Sequence, residues 1–215
     1  MATSLATFEP TRTMRLLGIV GVVGGVLLLW AYISWAPFAV GSNNTVRLVL
    51  FALAGASVGL AFHRRQSAVA PRLALVATSA VVVAGLWYAA SNILALNAPR
   101  SWVGVGGVLY SLSSLSIWLS AALYGMISLR TGAAWRGMTR SFAATARIAV
   151  LFLVVGGPLA ALGDDRWGLT RHEAYGGLIT QATLLGVFLT GAGWALLGVV
   201  LVVGGRKARG EWASS

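Results

Sequence analysis

Charged residues are absent from six long stretches of this chain. They run over residues 16–38, 48–62, 73–96, 102–129, 148–162 and 177–204, with short polar or basic segments between them. A helix needs about 20 apolar residues to cross the hydrocarbon core of a bilayer. The pattern therefore predicts an all-α integral membrane protein, a six-transmembrane-helix bundle forming a single transmembrane domain over 1–215. The first run is too long for a signal-peptide core, and no small-residue cleavage site follows it, so it reads as a span that ends at Pro37. The second run is short and closes on His63-Arg64-Arg65. The fifth is interrupted by Gly156-Gly157-Pro158, where proline costs a helical hydrogen bond and bends the helix.

Within these runs the small and polar residues recur at helical spacing. Gly18, Gly21 and Gly25 share one stripe, which lets another backbone approach closely. Thr78, Gly85, Tyr88 and Asn92 share a face of the third run, and Gly106, Ser113, Ser116, Ser120 and Tyr124 share a face of the fourth. These two runs, joined at Leu96-Asn97-Ala98-Pro99-Arg100, are the chain's most polar hairpin. Gly55-Ala56-Ser57-Val58-Gly59 matches the pattern of a hydrolase nucleophile elbow. That elbow requires a strand-to-helix turn, whereas this stretch lies within a helix, and Gly-x-x-x-Gly there reads as a packing face.

The most basic connection is Arg130–Arg147. On a helical wheel Trp135, Met138 and Phe142 fall together, opposite Arg136, Arg140 and Arg147. One reading is a short interfacial helix over 133–143 with its arginines among lipid headgroups. The other is a basic loop leading straight into the next span. Either way Arg136, Arg140 and Arg147 are candidate contacts to anionic lipid headgroups.

Composition sharpens this picture. The chain is 58% hydrophobic and 10% charged, against about 25% charged for a soluble domain. There is no cysteine, which excludes disulfides, thiol catalysis and thiolate metal sites. The net charge of +11 reads as topology signals and headgroup contacts, and no nucleic-acid partner is expected. With the N-terminus in the cytoplasm, cytoplasmic segments hold twelve basic residues and outer segments four. That bias predicts both termini inside. Arginine-, alanine- and glycine-rich usage suggests a bacterial chain, hence the bacterial cytoplasmic membrane.

Candidate chemistry is sparse. No span carries a charged residue in its middle, which argues against a proton- or ion-coupled carrier. The two histidines, His63 and His172, fall at opposite faces. Ser57 therefore has no base, and bis-histidine haem ligation is excluded. Asp164, Asp165, His172 and Glu173 match no metal-ligand spacing and read as solvated loop charges, so no metal and no cofactor is expected. Tyr88, Asn92, Tyr110, Gln181 and Glu173 gather toward the outer side and are the candidate ligand-binding residues, unless Asn92 and Gln181 only bond neighbouring helices. The expected function is that of a non-enzymatic polytopic protein, an accessory or assembly subunit working through helix packing, with membrane lipids and other membrane proteins or itself as partners. The alternative is a binding or transport protein for a lipid-like or uncharged molecule.

Overall fold

The computed structural model describes residues 8–33, 42–97, 103–162 and 173–204, and all regular structure in them is helical. Six helices follow one another: α1 (Arg12–Ile33), α2 (Ser42–Val69), α3 (Pro71–Asn97), α4 (Val103–Thr131), α5 (Arg140–Leu162) and α6 (Glu173–Val203). Five are long and apolar enough to cross a membrane, over 12–30, 71–94, 111–131, 140–162 and 181–203. The chain is thus an all-α, multi-pass membrane protein.

Local chemistry sets the helix ends on one side of the molecule. Thr11 caps α1, its hydroxyl accepting from the Met14 backbone N–H at 3.3 Å. A single residue, Ala70, separates α2 from α3, and Pro71 opens α3 where a missing N–H costs nothing. Gly132 ends α4 in the left-handed region, with φ of 62°, and its N–H returns to the Ser128 carbonyl at 2.9 Å. A second left-handed glycine, Gly137 with φ of 71°, turns the chain again before α5.

Each helix packs on its neighbours in the chain, and α6 closes the circuit by packing on α1. The second helix leans inward and also reaches α4 and α6. From Phe51 to Phe62 its only exposed side chain is Leu60. This explains the short apolar run over 48–62: a helix surrounded by protein does not need a full lipid-facing length.

Apolar burial does little to drive helices together in lipid, so close packing and interhelical hydrogen bonds hold the bundle. Two tilted aromatic pairs fill its middle, Phe51 with Trp118 at 5.4 Å and Tyr124 with Trp194 at 5.3 Å between ring centroids. Trp30 and Trp87 face outward instead, 60% and 39% exposed. The Gly55–Gly59 stretch lies mid-helix. A Cβ on Gly55 would meet the Trp194 indole at 3.2 Å, and one on Gly59 would meet Val81 at 2.6 Å, so these glycines serve packing.

Two expectations need adjustment. Residues 133–138 form turns, not part of a helix over 133–143, and α5 begins directly at Arg140. The basic loop leading straight into the next helix is the reading that fits. The charged residues after Phe62 do not begin a loop, since α2 continues through them to Val69.

Candidate functional site

Of the five residues expected to line an outer pocket, Tyr88 and Asn92 are buried, at 3% and 4% exposure. They are one turn apart on α3, and the Asn92 amide donates to the Tyr88 backbone carbonyl at 2.8 Å. Gln181 on α6 is exposed. The third helix packs on α2 and α4, whereas α6 packs on α1, α5 and α2. The Tyr110 and Glu173 side chains lie outside the described residues, as do Asp164, Asp165 and His172. The described part of this group is therefore two buried residues on α3, with the Asn92 amide bonded to the backbone one turn earlier, and a separate exposed glutamine on α6.

Other buried or half-buried polar side chains behave as Asn92 does. Ser116 donates to the Ser113 carbonyl at 2.8 Å, Ser120 to that of Ile117 at 2.9 Å, Thr131 to that of Ile127 at 2.9 Å, and Thr190 to that of Gly186 at 2.8 Å. Each satisfies its hydroxyl on its own helix, which removes the cost of placing it in an apolar interior.

The densest polar cluster lies at the other end, where α2 and α4 finish and α3 and α5 begin. Gln66 is wholly buried and donates from Nε2 to Ser128 Oγ at 2.8 Å, joining α2 to α4. The Tyr124 hydroxyl lies beside Ser128 and Gln66, yet neither gives it a hydrogen bond of normal geometry, and the Gln66 Oε1 is likewise unpaired. On the α3 side, His63 Nδ1 meets the Thr78 hydroxyl at 3.0 Å and His63 Nε2 meets Ser67 at 3.2 Å.

A lid of backbone and arginine covers this end. The Phe8 N–H donates to the Gly137 carbonyl at 3.1 Å, and the Phe8 ring is 5% exposed. The Arg65 guanidinium stacks over that ring at 4.5 Å, and its Nη2 donates to the Arg136 carbonyl. Burial lowers the Arg65 pKa from its ordinary value, through loss of hydration. The ring face and the carbonyl compensate part of that loss.

Arg136, Arg140 and Arg147 are all exposed, while Trp135, Met138 and Phe142 pack partly buried against the core. The expected division of faces is therefore present on a turn and a helix start instead of on one continuous helix.

Sequence reasoning missed Gln66, Ser128, His63 and the Phe8 contact. The signal for Gln66 was available: it continues the buried series Gly55, Gly59, Phe62 at helical spacing. Ser128 extends the stripe of Ser113, Ser120 and Tyr124 by one turn. Comparison with protein-family models, with curated proteins and with solved structures finds no match to this chain.

Proposed function

We propose that this chain is a non-enzymatic accessory or assembly subunit of the bacterial cytoplasmic membrane, with six spans and both termini in the cytoplasm. The observation that carries the reading is the interior. Aromatic pairs occupy the centre of the bundle, and the hydroxyls of the buried Ser120, Thr131 and Thr190 and of the half-buried Ser116 are consumed by their own helices. Polar stripes that look like a path in sequence thus have these hydroxyls satisfied within single helices. The two-sided distribution of arginine supports the orientation. A carrier of an uncharged molecule, the competing reading, needs polar groups of different helices around a shared space. The Asn92 amide instead donates to a backbone carbonyl of its own helix.

An accessory subunit must engage other proteins through its outward apolar faces, on which Trp30 and Trp87 stand. The test is photo-crosslinking in intact membranes from probes placed at positions 30 and 87. A discrete adduct with one protein, or with a second copy of the chain, supports the proposal. Adducts with lipid alone from both positions, together with a monomer in mild detergent, overturn it.

A further inference from the structure

The turn after α4 gathers hydrogen-bond donors around one point. Gly132 has no side chain, and the space its Cβ would fill lies 3.4 Å from Arg136 Nε and 3.6 Å from Trp135 Nε1. The Arg147 guanidinium, two turns into α5, sits 5.5 Å from the centre of the Trp135 ring. One arginine and the indole N–H thus border the space beside Gly132, and a second arginine lies over the ring of the same tryptophan. The left-handed glycines at 132 and 137 shape the turn, and the seating of Trp135 and Met138 against the core anchors it. The only carboxylate among the described side chains is that of Glu9, which is exposed. This donor group accordingly has no carboxylate partner among the described residues.

We propose that Trp135, Arg136 and Arg147 form a binding site for the phosphate of an anionic phospholipid. The argument is one of depth and charge. The turn joins two candidate membrane spans, 111–131 and 140–162, so its donors stand at the level of lipid headgroups. Arginine binds phosphate through a planar fork of N–H groups, and tryptophan favours the same interfacial depth with its N–H toward the polar side. The exposed Arg140 at the start of α5 adds attraction for the same charge. The site is independent of the accessory role proposed above, because it requires no protein partner.

The test is native mass spectrometry of the full chain in neutral detergent. Phosphatidylglycerol and phosphatidylcholine with identical acyl chains are titrated separately, and phosphatidylglycerol is then challenged with millimolar inorganic phosphate. The expected result is preferential retention of phosphatidylglycerol that inorganic phosphate does not displace. Replacing Arg136→Gln and Arg147→Gln together should weaken retention roughly thirtyfold, from about fivefold per arginine at a membrane surface. Arg12→Gln with Arg72→Gln removes the same charge elsewhere at this end and should leave retention within about threefold. Should the first pair fail to fold, Arg136→Lys with Arg147→Lys keeps the charge but loses the fork, and retention should still fall measurably. The proposal is overturned by equal retention of phosphatidylcholine, by displacement with inorganic phosphate, by an equal loss in the Arg12/Arg72 control, or by unchanged retention in the lysine pair.

Discussion

Gly18 of α1 and Gly198 of α6 meet backbone to backbone. A Cβ on Gly198 would lie 2.5 Å from the Gly18 carbonyl oxygen, and one on Gly18 would lie 2.9 Å from the Gly198 carbonyl oxygen. Seven residues further along α1 the contact repeats, where a Cβ on Gly25 would fall 2.6 Å from the Gly191 carbonyl oxygen. The interface that closes the bundle is therefore built on close backbone approach, which supplies the packing that apolar burial cannot supply in lipid. Gly198→Val must push α6 from α1, because the obstructing atoms are backbone. A loss of about 3 kcal/mol is expected, at the upper end for overpacking, and thermal unfolding in detergent should show it. Ala90→Val, at an exposed position, should change the midpoint little.

The Gln66–Ser128 bond and the Tyr124 hydroxyl make opposite predictions although they are neighbours. Ser128→Ala leaves the buried Gln66 amide without its acceptor and should cost about 1–3 kcal/mol. Tyr124→Phe removes a hydroxyl that lies beside Ser128 and Gln66 without a hydrogen bond of normal geometry to either and keeps the ring against Trp194. It should be neutral or stabilising by up to about 1 kcal/mol. Chemical or thermal unfolding of the two single variants decides the matter. If Tyr124→Phe costs as much as Ser128→Ala, the hydroxyl is bonded in the membrane-embedded protein.

Hydropathy made the helices legible because lipid leaves the backbone few alternatives: every peptide group in the membrane must be satisfied within its own segment. Their ends were harder to read. The run His63-Arg64-Arg65 looked like a loop by charge, yet α2 continues because Arg64 points to the surface, Arg65 is covered by Phe8, and Gln66 finds Ser128. No local pattern announces partners that lie 62 or 71 positions away. The wheel over 133–143 assigned the correct faces to Trp135 and Arg136, but the two positive-φ glycines prevent a helix there. As for the outer pocket, spacing could place Tyr88 and Asn92 on one face of α3. It could not tell which helix would face them, and that depends on the order in which the bundle closes.

Phe8 fastens the chain ahead of α1 to the far side of the bundle. It bonds Gly137 through its backbone, carries Arg65 on its ring, and approaches Gly204 closely enough that a Cβ there would lie 3.0 Å from its edge. Phe8→Ala removes the ring but not the backbone bond. Removal of a buried phenylalanine costs about 3–5 kcal/mol, and here the loss should be local. Amide exchange at Phe8 and across Gly132–Thr139 should accelerate while exchange in the middle of α4 stays slow. Uniform acceleration along α4 would show that the segment supports the whole bundle.

Asn92 tests whether a buried amide in α3 serves packing or a ligand. Its Nδ2 donates to the Tyr88 carbonyl at 2.8 Å, and in a helix that carbonyl already receives the backbone N–H four residues on. Losing the side-chain bond therefore strands no acceptor. Leucine keeps the γ-branched shape of asparagine and suits an apolar surrounding, so Asn92→Leu should change stability by no more than about 1 kcal/mol, near the average for polar bonds in membranes. Thermal unfolding reads that directly. A loss of several kcal/mol would mean that Asn92 holds a partner beyond its own helix. Unchanged stability combined with the loss of a co-purifying lipid would move Asn92 from fastening to recognition and favour the carrier over the accessory subunit.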